Sequence, residues 1–286
     1  MEKYYLPSPT HSILLVSCEF AQLSGDLCLT LIVLQRRIEH NDIRVLADSR
    51  LLSKQGILTD HMPKLFRIPI RGYVSGRDKP AFNTAVGFAF SGSANVAFAT
   101  VATLQGYLDS LSLEMGRDAP NLYDVSQFCR SILLRNWRDF GVHWGENASC
   151  EMFLFGALPS DKSLGAHYLK TVIHNGEATV GGDILDFREP KLFCIGSGSQ
   201  WYLREIQRRH PILQPWNTLQ DAIHSDELPD VGGAVQVALA SKGGVVLPQV
   251  VLETPERGHG SLGRFYLGRM DLENVGHASV GHFVVR

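Results

Sequence analysis

From position 30 onward, short apolar runs alternate with polar punctuation, and strand-like and helix-like periods change places twice. Residues 31–34 and 43–47 are apolar runs separated by His40-Asn41-Asp42, a turn signal, so the pair predicts a β-hairpin. Residues 64–68 predict a further strand. The polar, glycine- and proline-bearing stretch 71–84 predicts a loop, and 85–90 predicts another strand. Ser91-Gly92-Ser93 then opens a helix over 93–112, with Val96, Ala97, Val101, Leu104, Leu108 and Leu111 recurring at helical spacing. A second helix is expected over 121–139. It carries Val125, Phe128, Cys129, Ile132 and Leu133 on one face, with Ser126 and Arg130 off it.

The second half repeats this order. Residues 152–157 predict a strand, 166–187 hold further short runs, and 192–195 predict a strand that leads into Gly196-Ser197-Gly198-Ser199. A helix to about 209 comes next, ended by Pro211 and Pro215, and then a short helix over 218–224. Gly232-Gly233 precede a strand over 234–239, a turn over 241–244 and a return strand over 245–252. Strands and helices come in segregated runs, which predicts an α+β layered fold rather than a parallel βαβ sheet. Both Ser-Gly corners suit a tight strand-to-helix turn, because glycine permits it and serine caps exposed helix N–H groups. Residues 1–29 lack patterning. Residues 254–286 mix glycines with Phe265, Tyr266, Leu267, Phe283 and Val284, and predict extra strands or a subunit arm. Three segments result: 1–29 as a leading segment, 30–253 as the folded domain, and 254–286 as a C-terminal extension.

Composition narrows the function classes. The chain has 286 residues, 44% hydrophobic and 20% charged, an ordinary globular balance that excludes a fibrous or disordered protein. A net charge of −2 gives no basic patch for nucleic acid, and Arg36-Arg37 and Arg208-Arg209 read as solvated pairs. The five cysteines, Cys18, Cys28, Cys129, Cys150 and Cys194, form no CxxC pair, so neither a disulfide framework nor a cysteine zinc site is expected. Free thiols suit the cytoplasm. No run is long and apolar enough to predict a membrane span. Eleven histidines are present without an HExxH motif, and His277 and His282 read as surface residues, so no metal and no cofactor is expected.

Candidate chemistry lies at the strand ends. Thr30 begins an apolar strand, Asp48-Ser49-Arg50 ends the next, and Lys64 opens the one after. Gly92 sits at the first corner, Ser197 at the second, and Gly232-Gly233 precede the last hairpin. In this order the motifs resemble the proteasome β subunit and its bacterial two-ring relative, the peptidase partner of an unfoldase. Val45-Leu46-Ala47-Asp48-Ser49-Arg50 resembles that family's aspartate strand end, and Lys64-Leu65-Phe66-Arg67-Ile68 its lysine strand. Phe90-Ser91-Gly92-Ser93-Ala94 resembles its oxyanion corner, and Ile195-Gly196-Ser197-Gly198-Ser199 its helper-serine corner.

The resemblance implies a four-layer αββα sandwich, the N-terminal-nucleophile (Ntn) hydrolase fold. It also implies peptide-bond hydrolysis by an N-terminal Thr30 through an acyl-enzyme. A threonine hydroxyl needs a nearby base, and a free N-terminal amine can serve. By resemblance Lys64 favours proton loss, Asp48 orients Lys64, Ser197 completes the network around the amine, and the Gly92 N–H stabilises the oxyanion. Arg50 would organise the Asp48 loop. Polypeptide substrates, a homo-oligomeric ring and an ATP-dependent unfoldase are the partners implied; nucleic acid and membrane are not.

The sequence departs from that pattern in three places. The stretch from Thr30 to Asp48 is about two residues longer, which a hairpin turn absorbs. Leu228 and Val231 stand where a proteasome aspartate and serine would be, leaving Asp226 or Asp230 as substitutes. Leu29 stands where self-cleaving precursors carry glycine, the residue suited to a strained turn. Residues 1–29 are therefore read as a propeptide, an arm, or translated upstream sequence, with initiation at position 29 freeing Thr30. Rival readings are Cys28 as nucleophile, an amidohydrolase of small amides, and a catalytically inactive assembly subunit that keeps residues 1–29.

Overall fold

The computed structural model describes residues 14–15, 30–53, 55–76, 78–114, 118–161, 163–174, 177–188, 191–208, 215–253, 262–266, 269–270 and 282–284. A two-residue strand, β1 (Leu14–Leu15), precedes the first hairpin, β2 (Ile32–Arg37) and β3 (Asp42–Ala47). Asn41 in its turn has φ 48°, a region asparagine tolerates better than most residues. A small hairpin, β4 (Leu51–Ser53) with β5 (Gly56–Thr59), leads to β6 (Leu65–Val74) and β7 (Phe82–Gly92). These last two pair from Leu65 opposite Ala89 to Gly72 opposite Phe82, so both ends of the loop expected over 71–84 belong to strands. Gly72 explains the extension. A Cβ there would collide with the Phe82 ring, which instead covers bare backbone.

Helix α1 (Ala94–Leu108) stops short of the expected 112, and Leu111 joins β8 (Leu111–Leu113), a parallel edge strand beside β6. Helix α2 (Leu122–Trp144) is longer than expected and starts on a reciprocal cap. The Asn121 side chain accepts from the Asp124 N–H, and the Asp124 carboxylate accepts from the Asn121 N–H. Asn121→Ala should therefore lower stability by about 1 kcal/mol, read as a shift in the urea midpoint at unchanged slope. Ser126, expected off the apolar face, is buried; its hydroxyl donates to the Tyr123 carbonyl, which satisfies it locally.

After a 3₁₀ turn (Gly145–Ala148) come β9 (Cys150–Gly156), β10 (Gly165–His174), β11 (Glu177–Ile184) and β12 (Lys191–Ile195). Helix α3 (Ser199–Arg208) and helix α4 (Pro215–Ile223) are next along the chain. Pro215 opens α4 instead of ending α3, a position where its missing N–H costs nothing. Arg209 and Pro211 lie outside the described residues. The strand β13 (Gln236–Ser241) turns into β14 (Gly244–Val246). The return strand expected over 245–252 breaks at Pro248, which lacks a ladder donor. Beyond that proline, β15 (Gln249–Glu253) joins a separate sheet with β16 (Leu262–Tyr266), β17 (Arg269–Met270) and β18 (His282–Val284). The tail thus contains the extra strands its composition suggested.

Two six-stranded sheets dominate. The first has the order β1-β12-β2-β3-β13-β14 and the second β11-β10-β9-β7-β6-β8. Three separate apolar clusters define four layers. Ile32, Leu34 and Val45 of the first sheet meet Phe153, Phe155 and Ala166 of the second. On the far side of the first sheet, Leu31, Val33 and Leu46 meet Tyr202, Trp216 and Leu219 of α3 and α4. On the far side of the second, Ile68, Val86 and Phe88 meet Val101, Leu104 and Ile132 of α1 and α2. Because the first half of β2 is buried on both faces, residues 31–34 read as a continuous apolar run instead of an alternating one. The fold is an α+β four-layer αββα sandwich.

This topology brings distant residues to one end. β2 begins where β3 ends, since Ile32 pairs with Ala47, and β12 ends beside them, since Ile195 pairs with Ile32. β6 begins and β7 ends together in the facing sheet, with Leu65 opposite Ala89. Thr30, Asp48, Lys64, Gly92 and Ser197 each flank one of these termini.

Candidate active site

Asp48 is the hub. It is fully buried, and its Oδ1 accepts from the Thr30 hydroxyl at 2.8 Å, the Leu31 N–H at 2.9 Å and the Lys64 ammonium at 2.8 Å. Its Oδ2 accepts from the N–H groups of Arg50 at 3.1 Å and Gly232 at 3.2 Å. A buried carboxylate is tolerable only when paired and hydrogen-bonded, and both conditions are met here. Lys64 is only 2% exposed. Burial draws its ammonium below the usual lysine range, and Asp48, by charge and hydrogen bond, opposes that fall.

Gln236 fixes this pair and was not legible in the sequence. Its side-chain oxygen accepts from the Lys64 N–H at 2.9 Å, and its Nε2 donates to the carbonyls of Asp48 at 3.1 Å and Met62 at 2.7 Å. The end of β3 and the start of β6 are thereby tied to the first residue of β13.

Thr30 is 1% exposed. Its N–H points to Ser197 Oγ at 3.3 Å, and Ser197 in turn donates to the Asp230 carboxylate. Of the two substitutes suggested by sequence, Asp230 is the one bonded to the serine. Leu228 and Val231 are buried in the α3–α4 cluster. Gly196, just before Ser197, has φ 93°, and a Cβ on it would collide with the Thr30 carbonyl. No side chain fits there.

Arg50 organises the surrounding loops. Its guanidinium forks onto Asp60, Nε to Oδ1 at 2.7 Å and Nη2 to Oδ2 at 3.2 Å, and its Nη1 donates to the Pro229 carbonyl at 2.8 Å. The Arg50 hydrogen bonds hold the Asp60 carboxyl below its usual range and raise the guanidinium in turn. Ser49 donates to the Asp60 carbonyl and accepts from the Ala234 N–H at 2.8 Å. Gly232 and Gly233 pass so close to Arg50 and Ser49 that a Cβ on either would collide with those side chains. Asp60 extends the site beyond the residues read from sequence, and Ser49, read there only as part of the strand-end motif, has a bonding role.

Gly92 joins the group only indirectly. It ends β7 at φ 99°, and a Cβ there would collide with the Ser149 carbonyl. Among the described residues no hydrogen bond links it to Thr30. Its neighbour Ser91 lies close by, with Oγ 3.0 Å from where a Gly196 Cβ would sit. Ser91 is 1% exposed, and its hydroxyl has no hydrogen-bond partner among the described residues. Ser91→Ala removes an unsatisfied polar atom and should raise stability by up to about 1 kcal/mol, visible as a higher thermal midpoint.

Cys129, Cys150 and Cys194 are buried, and burial pushes the Cys129 thiol up to about 12. Cys28 and Leu29 lie outside the described residues. Among the described residues no group of three or more His, Cys, Asp or Glu is arranged to hold a metal ion. Nor is any helix there long and apolar enough to cross a membrane.

No protein-family model matches the chain, and no curated protein matches it. Among solved structures it is similar to Anbu (ancestral beta-subunit) from Yersinia bercovieri, with 16% identity over 76% of this chain and 86% of that one, at a TM-score of 0.52. This corrects the family that the motifs implied. No family model or curated protein supports membership of that family, and the likeness to Anbu, at 16% identity, extends to the fold alone. In this chain the motif order follows the topology, which gathers these strand ends and glycine corners at one edge. The chain therefore has the Ntn-hydrolase sandwich, a proteasome-like fold, at low sequence identity to the relative that displays it.

Proposed function

We propose that the chain is a threonine-type hydrolase of peptide bonds, with Thr30 as nucleophile once residues 1–29 are removed. One observation carries this reading: Thr30 Oγ1 and Lys64 Nζ each lie 2.8 Å from the same buried oxygen of Asp48, while the Thr30 nitrogen faces Ser197. In the 286-residue chain that nitrogen is a peptide nitrogen and has no basicity. Hydrolysis of the Leu29–Thr30 bond turns it into an amine, which can accept a proton.

The amine then takes the Oγ1 proton as Oγ1 bonds to the substrate carbonyl carbon. The negative oxygen that forms is served by the Gly92 N–H at the strand-to-helix corner. Collapse breaks the C–N bond, the ammonium returns the proton to the leaving nitrogen, and an ester remains on Thr30. Water attacks that ester and gives up a proton to the amine; the C–Oγ1 bond then breaks, the ammonium returns the proton to Oγ1, and the acid leaves. The Lys64 positive charge favours the unprotonated amine, and Asp48 holds it in place. Ser197 accepts from the amine and is oriented by Asp230. The Arg50–Asp60 clasp secures the loop that carries Asp230.

The solved structure that shares the fold is named a beta-subunit, and an assembly of several copies is proposed for this chain by that analogy. A homo-oligomeric ring acting on polypeptides, with an ATP-dependent unfoldase as feeder, is the form proposed. A second reading has its own support: Thr30 is 1% exposed in the full chain, so a protein that keeps residues 1–29 is a noncatalytic subunit. Intact mass before and after an epoxyketone or β-lactone separates the two. A native chain beginning at Thr30 that gains one probe mass, and loses it in Thr30→Ala, supports the hydrolase. A native chain beginning at Met1 that gains none ends that reading.

A further inference from the structure

Glu151 lies outside the Asp48 cluster yet touches the same corner from the opposite sheet. It sits on β9 with the parity of Phe153 and Phe155, so it faces the gap between the sheets. Its Oε2 accepts from the Gly196 N–H at 3.3 Å. Its Oε1 accepts from the Tyr168 hydroxyl at 3.0 Å and pairs with the Lys170 ammonium at 2.8 Å. Lys170 is directly opposite Glu151 in the β9–β10 ladder, with Tyr168 opposite Phe153. The two charged side chains are 13% and 20% exposed, so the pair is only partly screened by water. One carboxylate thus spans from the second sheet to the glycine that backs onto the Thr30 carbonyl.

We propose that Glu151 is a positioning residue for the Thr30 site. It holds the Gly196–Ser197 corner so that Ser197 Oγ stays within reach of the Thr30 nitrogen, with Lys170 balancing its charge and Tyr168 fixing its rotamer. A carboxylate suits the task because a hydrogen bond to an ionised acceptor is roughly twice as strong as a neutral one. Gly196 has no Cβ to wedge it in place, so an external anchor on its N–H compensates for the freedom of its backbone. The consequence for reactivity rests on the hydrolase reading above; the mechanical role does not.

Two measurements keep these apart. In the full chain, hydrogen exchange at the Gly196 and Ser197 amides is compared for wild type, Glu151→Ala and the near-isosteric Glu151→Gln. Glu151→Ala should accelerate those amides about 10- to 100-fold, the worth of one charge-assisted hydrogen bond, with α2 amides unchanged. Glu151→Gln should act in the same direction but less. Unchanged exchange at Gly196 and Ser197, or uniform acceleration of all amides in both variants, overturns the proposal. In a chain beginning at Thr30, β-lactone adduct formation is followed against pH. Glu151→Ala should slow it about 10-fold or more and move its acid limb to lower pH, because Ser197 no longer accepts from the protonated amine. An acid limb that stays in place also overturns the proposal. Wild type that forms no adduct overturns the hydrolase reading alone, and the exchange result then decides whether Glu151 anchors the corner.

Discussion

Lys64→Met is expected to lower stability by about 3–5 kcal/mol and to slow Thr30 adduct formation by about 10³-fold. The stability loss arises because methionine fills the volume but leaves the Asp48 carboxylate buried without its cation. Donors from Thr30, Leu31, Arg50 and Gly232 still reach Asp48, and they favour the lower end of that range. Asp48→Asn should be costly for the converse reason, leaving Lys64 at 2% exposure without a counter-charge. The double variant should cost less than the two singles combined, because it removes both charges together. Urea unfolding of the four chains gives the coupling directly; additive losses would mean that the pair does not act as a unit.

Lys64 also sets a pH dependence with a definite sign. Its folded value lies below the ordinary 10.5, mainly through burial. As pH rises from the folded value towards 10.5, the folded chain releases this proton before the unfolded chain does. The unfolded state then binds more protons, so the contribution of Lys64 to stability increases with pH across that window. The stability of wild type relative to Lys64→Met should therefore grow on the alkaline side and be flat well below it. Matched urea titrations at several pH values test this, and a difference that shrinks with rising pH contradicts it.

Gly196→Ala is the second large effect. At φ 93° an L-residue is strained, which costs about 1–3 kcal/mol by itself. The added methyl group also meets backbone, the Thr30 carbonyl, and backbone cannot swing aside as a flexible side chain can. Relief requires Thr30 to shift, carrying its hydroxyl away from Asp48. We expect a stability loss of at least about 2 kcal/mol and a fall of about 100-fold in adduct rate, the scale of an ångström-sized misplacement of a reacting group. Gly106→Ala is the control, since it is helical and a Cβ there meets nothing within 4 Å. It should gain a few tenths of a kcal/mol, about the helix preference of alanine over glycine reduced by context.

Strand ends were the legible part of this site. Thr30, Asp48, Lys64 and Ser197 each stand where an apolar run begins or stops, and their mutual order was enough to group them. Gln236 was hidden because its partner Lys64 is 172 positions away and nothing local marks a glutamine at the first residue of a strand. Glu151 and Asp60 were hidden for the same reason: each looks like ordinary polar punctuation until tertiary pairing supplies Gly196 or Arg50. The missed strand residues in 71–84 reflect a competing influence, the pairing of Gly72 with Phe82, which overrides a loop-like composition. The layered class was legible because periodicity survives burial. Family was not, because the motifs mark strand ends and corners, and at 16% identity the likeness to a solved structure reaches the fold alone.

The central position of β2 has a last consequence. It is flanked by β12 and β3, and its Ile32 and Leu34 point between the sheets, as the hydroxyl of Thr30 does by the same parity. Deleting Leu31 would leave both neighbouring ladders intact yet turn that hydroxyl towards α3, stranding it in the apolar cluster around Tyr202 and Leu203. Which face of the sheet the Thr30 oxygen meets is thus decided by counting, odd or even, from a sheet that is already locked.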